Sequence, residues 1–116
     1  MFVKLSCMDE ACLCSVKELI DKDFKSRITI RQLEHRFRIN ENKLRHGFKL
    51  LFHISIFDYH TNKRLEYATA LFRDRDRSIQ EVAYRSGFKD ISTFNRSFKR
   101  KFGMTPTEYR KSVSNY

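Results

Sequence analysis

Ser78-Ile79-Gln80-Glu81-Val82-Ala83-Tyr84-Arg85-Ser86-Gly87-Phe88-Lys89-Asp90-Ile91-Ser92-Thr93-Phe94-Asn95-Arg96-Ser97-Phe98-Lys99 reads as two short helices hinged at a glycine. Ser78, with Glu81 three residues on, has the form of a capping box, in which each side chain satisfies an otherwise orphaned backbone N–H. The first helix is expected over about 79–86. Ala83 is small where two helices must approach, and Gly87 sits four residues later, where the turn needs a left-handed backbone. Phe88 follows as a core anchor. Asp90 then caps a second helix over about 91–102, along which Phe94, Phe98 and Phe102 recur at i, i+4, i+8 as a buried ridge.

The same text stands earlier in the chain. Phe48, Lys49, Phe52 and Tyr59 recur 50 residues later as Phe98, Lys99, Phe102 and Tyr109, and Leu44, Ile54, Ser55 and Asp58 as Phe94, Met104, Thr105 and Glu108. Upstream the offset is 49: Thr29-Ile30-Arg31-Gln32-Leu33 is echoed by Ser78-Ile79-Gln80-Glu81-Val82. The slip of one residue falls in the turn between the paired helices, where an insertion costs least. A duplicated helical unit implies a protein that touches its partner twice. In the first copy Glu34 replaces Ala83 and Arg38 replaces Gly87, and a left-handed Arg38 would cost roughly 1 kcal/mol.

Around these repeats the chain is helical throughout, with three glycines and one proline. Seven helices are expected in an all-α fold. The first runs over about 9–21, with Leu13, Val16 and Ile20 at helical spacing, and a polar connection 21–26 follows. Helices over about 30–37 and 41–52 make the first pair. A long helix over 56–73 carries Leu65, Ala68, Leu71 and Phe72 and is broken by the polar run 73–77. The last starts near Pro106, a good first-turn residue. The domain reading is 1–55, a linker helix 56–74, and 75–116. The first pair is expected to lean on the N-terminal helix, through Leu13, Val16 and Ile20, and on the connecting helix, because it lacks the turn glycine and places Gly47 inside its second helix.

Lys+Arg 24 against Asp+Glu 14 gives a net charge of +10 and a pI near 9.8, which favours an anionic partner such as nucleic acid or a lipid surface. No apolar run approaches the ~18 residues of a membrane span, and the start of the chain does not read as a signal peptide, so a cytoplasmic protein is expected. The length leaves no room for a separate ligand-binding domain; the chain reads as a free-standing regulator or the C-terminal piece of a longer one.

Residues 87–110, Gly-Phe, a small polar segment, Phe94-Asn95-Arg96-Ser97-Phe98-Lys99, Phe102-Gly103 and the close Thr105-Pro106-Thr107-Glu108-Tyr109-Arg110, resemble the DNA-binding domain of the AraC/XylS family of bacterial transcription regulators. The stretch Arg64–Phe72 is similar to that family's connecting helix, and Asn40–Lys49 is similar to a branch that includes siderophore-responsive regulators. The resemblance covers about residues 10–112. It implies two helix-turn-helix units joined by a long helix, with recognition helices in successive major grooves on one face of a direct, non-palindromic site. It also implies double-stranded DNA and RNA polymerase as partners, and an effector or dimerisation domain N-terminal to this one.

Side-chain chemistry agrees with that expectation. With Leu44 and Phe48 facing the core, Asn42, Arg45, His46 and Lys49 project from the opposite flank; with Phe94, Phe98 and Phe102 inward, Ser92, Asn95, Arg96 and Lys99 face out. Arginine forks onto guanine O6/N7 and asparagine pairs with adenine N6/N7, so Asn42, Arg45, His46, Ser92, Asn95 and Arg96 are the base-contacting candidates. Lys49 and Lys99 lie a turn later and suit phosphate, as do Thr29, Arg31 and Ser78 at the starts of their helices. Ile91 can read a thymine methyl or simply begin its helix. A solvated basic face is the plain alternative for any one of these residues. His35, His53 and His60 are read as surface histidines, and no metal or cofactor is expected. Cys7, Cys12 and Cys14 do not have zinc-finger spacing and are read as free thiols, with a redox sensor as the minor alternative. No catalytic constellation stands out, so the chain is not expected to be an enzyme. A non-specific architectural nucleic-acid binder and a helical protein-interaction module are the competing classes.

Overall fold

The computed structural model describes residues 4–74 and 76–114. Among the described residues there are seven α-helices and no strand. These are α1 (Cys7–Asp23), α2 (Ile30–Phe37), α3 (Phe48–Phe52), α4 (Ile56–Leu71), α5 (Ile79–Arg85), α6 (Ile91–Phe102) and α7 (Pro106–Ser114). The chain divides into two compact units, Met1–His60 and Thr61–Tyr116, with the boundary inside α4.

α1 begins two residues before its expected start and ends two after its expected end. Ser6 Oγ accepts from the Asp9 N–H and the Asp9 carboxylate accepts from the Ser6 N–H, both at 3.0 Å, closing a capping box whose acidic partner is Asp. α4 stops at Leu71, two residues short of its expected end, and Phe72 just beyond it is buried. Of the polar run expected to break that helix, Arg75 lies outside the described residues. α5 ends at Arg85, one residue early.

The first core gathers Leu13, Val16 and Ile20 of α1 with Leu33, Ile39, Leu44, Phe48 and Ile56; the second gathers Leu65, Ala68 and Phe72 with Val82, Ala83, Phe88, Phe94 and Phe98. The spacing 13, 16, 20 is the spacing 65, 68, 72. The duplication therefore reaches back one helix further than the side-chain identities reveal: α1 leads the first unit as the later turns of α4 lead the second. Phe102, expected inside the ridge, is only half-buried, its ring 4.6 Å from Phe98.

The repeat is reproduced in matching hydrogen bonds and ring contacts at several places. Asn40 Oδ1 accepts from the Lys43 N–H at 2.8 Å and Asp90 Oδ1 from the Thr93 N–H at 2.7 Å. The chains leave these helices alike, His53 N–H to Lys49 O and Gly103 N–H to Lys99 O, each 2.8 Å. Ser55 and Thr105 then cap α4 and α7 by accepting from the Asp58 and Glu108 N–H groups at 3.0 and 3.2 Å. Phe48–Phe52 and Phe48–Tyr59 ring centroids lie 4.7 and 5.9 Å apart; Phe98–Phe102 and Phe98–Tyr109 lie 4.6 and 5.4 Å apart. The offset changes at Lys89, the one extra residue between Phe88 and the cap Asp90.

Two differences between the units bear on the site. The helical run 41–52 is not regular: Lys43–Gly47 forms a π-helical turn that leads straight into α3, whereas α6 is α-helical over its whole length. Gly47 is buried in that turn, and a Cβ there would come within 2.9 Å of Leu13 Cδ1 and 3.0 Å of Leu5 Cδ2. Its lack of a side chain admits α1 and the segment before it. Second, the two expected capping boxes are unequal. Thr29 and Gln32 make both reciprocal bonds, at 3.2 and 3.0 Å. Ser78 accepts from the Glu81 N–H, but the Glu81 carboxylate is drawn to Arg85 at 3.2 Å and Arg77 at 3.8 Å, so that box is half made.

Candidate nucleic-acid interface

The cores turn the apolar residues of each second helix inward and leave a polar face outside. In the first unit Leu44, Gly47 and Phe48 are buried while Asn42, Arg45, His46 and Lys49 are exposed. In the second Phe94 and Phe98 are buried while Ser92, Asn95, Arg96 and Lys99 are exposed. Each unit thus gathers its own four candidates on one helix face. Among the phosphate candidates Arg31 and Ser78 are exposed, and Thr29 is half-buried with its hydroxyl engaged as a cap. Ile91, 39% exposed, opens the face of α6.

These side chains are not all idle. Arg45 Nε donates to Glu41 Oε2 at 2.7 Å, with both side chains more than half exposed. The Glu41 N–H in turn donates to Glu34 Oε2 at 3.0 Å, across the turn from α2. Arg96 Nη2 donates to Thr93 Oγ1 at a long 3.4 Å. Lys43, at the start of the π turn, is held by Asp9 of α1 at 3.0 Å. The carboxyl of Asp9 is lowered below its ordinary value, first by the Ser6 N–H and then by Lys43. Asp90 is lowered likewise by the N–H of Thr93, and Glu108 by that of Thr105. These three carboxylates are thus charged at neutral pH, one at a helix cap and two in the first turn of their helices, where the helix dipole favours them.

His35, His46 and His53 are exposed, as read from sequence, but His60 is 8% exposed, its Nε2–H directed at the Phe24 carbonyl 2.7 Å away. The surface reading of His60 is therefore corrected: it fastens the end of α1 to α4. Cys7, Cys12 and Cys14 are free thiols; Cys12 Sγ faces the Phe37 carbonyl at 3.5 Å and its pKa is raised, chiefly by burial. Among the described residues no group of His, Cys, Asp or Glu could hold a metal ion, and no helix is long and apolar enough to cross a membrane. Sequence reading missed Glu34 and Glu41. The i,i+4 spacing of Glu41 and Arg45 was the available signal.

Two linked helix-turn-helix units with basic, amide-bearing outer faces define a DNA-binding architecture, and comparison with known proteins agrees. Residues 28–112 match the family described as a helix-turn-helix domain, and the chain belongs to this AraC-type family of bacterial transcription regulators. It is similar to the uncharacterized HTH-type transcriptional regulator YijO of Escherichia coli, 29% identical over 109 residues, which cover 94% of this chain and 38% of that protein. Among solved structures it resembles the C-terminal domain of the two-component response regulator yesN from Fusobacterium nucleatum, with TM-score 0.76, 28% identity, and coverage of 83% of this chain and 94% of that one. It shares the fold of the DNA-binding domain of AdpA, solved in complex with a target DNA, with TM-score 0.78, 23% identity, and coverage of 86% and 90%. The chain spans well under half the length of the curated relative named above.

Proposed function

We propose that this chain binds double-stranded DNA sequence-specifically, placing residues 41–52 and α6 in successive major grooves, and that it regulates bacterial transcription from the cytoplasm. The observation that carries this reading is the duplication of a capped helix pair with a left-handed turn, with matching cap and exit hydrogen bonds, each copy with a basic and amide-bearing face. Asn42, Arg45 and His46 read bases in one half of the site, and Ser92, Asn95 and Arg96 in the other. Lys49 and Lys99 contact phosphate, flanked by Thr29, Arg31 and Ser78. Two units one duplex turn apart, about 34 Å, would read a direct repeat. The length of the YijO relative supports a further effector or dimerisation domain in the whole protein, with RNA polymerase as the partner that turns binding into output.

The test is selection on random duplexes, followed by titration of the winner and of random DNA at two salt concentrations. Sequence-specific reading predicts a ratio of specific to random affinity of ~10³ or more. A ratio near unity identifies an architectural binder, and absence of salt-dependent binding identifies a protein-interaction module; either result overturns the proposal. On the winner, Arg45→Ala and Arg96→Ala should each cost about 1–3 kcal/mol and relax base choice locally, whereas Lys49→Ala and Lys99→Ala should weaken all sequences alike. A uniform loss for the arginines would reassign them to phosphate.

A further inference from the structure

Glu34, Glu41 and Arg45 form a relay from the scaffold helix to the reading face of the first unit. Glu34 on α2 is half-buried and accepts the Glu41 N–H at 3.0 Å. Glu41, in the first turn of the run 41–52, accepts Arg45 Nε at 2.7 Å. The second unit has Ala83, Ile91 and Asn95 at the matching places, so all three members are replaced together. The replacement is chemically consistent. Asn95 is short and has few rotamers to lose, whereas an arginine side chain forfeits about 2 kcal/mol of conformational freedom when ordered.

We propose that Glu41, supported by Glu34, is the positioning residue of the first reading surface: it fixes the Arg45 guanidinium and thereby sets base choice in that half of the site. This rests on the reading of Arg45 as a base contact. The guanidinium carries five donors in a rigid fork, and the bond to Glu41 takes the one on Nε. That bond fixes the plane of the group while leaving the terminal nitrogens for guanine O6 and N7. An arginine released from Glu41 is free to swing to phosphate, which carries no sequence information. The Glu41 carboxylate also opposes phosphate approach at this point. Glu34 acts one step back, by occupying an N–H that the first turn of a helix otherwise leaves orphaned and so holding Glu41 in place. Exposed ion pairs add little to stability, so the consequence of this one lies in geometry.

The experiment uses the full chain, the selected duplex, its single-base variants at the pair that Arg45→Ala shows to be Arg45-dependent, and a random duplex of the same length. Wild type should prefer the correct base at that pair by about 10-fold or more. E41A should cut that preference about twofold, with discrimination in the other half of the site unchanged. E41Q removes the same charge but keeps an acceptor oxygen, so it should fall between wild type and E41A. E34Q, which still accepts the Glu41 N–H, should match wild type, and E34A should not. If E41A and E41Q raise affinity for every duplex equally and leave the base preference intact, Glu41 acts only as a charge and the proposal is overturned. Arg45→Ala failing to change base choice would overturn the underlying assignment of Arg45 instead, a result readable without any glutamate variant.

Discussion

Arg38 and His53 in the first unit stand where Gly87 and Gly103 stand in the second, and all four take positive φ, 52° and 62° against 98° and 76°. The second unit makes its left-handed turns with the residue that adopts them freely; the first makes the same turns with side chains that resist them. Strain of this kind persists only where surrounding packing over-determines the backbone. In the first unit that packing comes from α1, joined by Ile56 and Tyr59 at the start of α4. Besides burying Leu13, Val16 and Ile20, α1 sends Cys12 to the Phe37 carbonyl, Asp9 to Lys43 and Asp21 to the Tyr59 hydroxyl, and lays Lys17 over the Phe52 and Tyr59 rings at 5.5 Å each. The comparison teaches that one turn can be specified locally by glycine or imposed from outside by a neighbouring helix.

The sharpest way to break the comparison is to remove the neighbour. Deleting residues 1–22 strips three fully buried aliphatic side chains, each worth about 1.5–3 kcal/mol, from the first core. Amide hydrogen exchange should then show protection lost across 30–52 before 79–102. Equal protection in both units, or earlier loss in the second, contradicts the account. Next in size is Gly47→Val, which drives a side chain against Leu13 and Leu5 and should destabilise by about 1–3 kcal/mol in urea unfolding. Ser97→Ala at the matching place should change stability by less than about 0.5 kcal/mol.

The turn residues themselves sharpen the contrast. Arg38→Gly and His53→Gly should each stabilise by about 1 kcal/mol, and Gly103→Ala, where a Cβ meets nothing within 4 Å, should cost a similar amount from backbone conformation alone. Thermal unfolding of the three variants separates this from any packing effect, and a destabilised His53→Gly would mean that its side chain has a role not visible in its exposure. The smallest effect is in acid. The Asp90 carboxyl is depressed in the folded state, so its contribution is present above its ordinary value of 3.8 and is lost as pH falls through the lower folded value. Asn40, its counterpart, does not titrate. Asp90→Asn should therefore keep the cap and make the stability of the chain fall less steeply below about pH 4. Urea midpoints at pH 7 and pH 3 read this directly; identical slopes for variant and wild type would remove Asp90 from the acid response.

Much of the fold was legible because its signals are local. Thr29 with Gln32, Ser78, Asp90, and the i, i+4 spacing of Phe94 and Phe98 each act within one or two turns, and each does in the structure what its spacing announces. The Ser6–Asp9 box is an equally local signal that places the start of α1 two residues before the expected start at residue 9. The equivalence of α1 with the later part of α4 was hidden because Leu, Val, Ile and Leu, Ala, Phe share a spacing and only the leading leucine. The outer faces of residues 41–52 and α6 followed from the same periodicity that buries Leu44, Phe48, Phe94 and Phe98, so the exposure of the candidate residues was legible as a set. Their support was not: the bond from Glu34 to the Glu41 N–H joins residues on two helices, and no helical period connects them.

What the amino-acid sequence determined by itself is the all-α class, the helix ends set by caps, the duplication and its one-residue slip, and the polar faces, because each depends on groups a few residues apart. Tertiary structure alone decided the π turn at Lys43–Gly47, the space that only Gly47 leaves for Leu13 and Leu5, and the burial of His60 against Phe24. Each of these depends on α1 or the segment beside it packing against residues about 30 to 40 positions away in the chain, and a side chain's fit against such a partner exists only once the chain has brought them together.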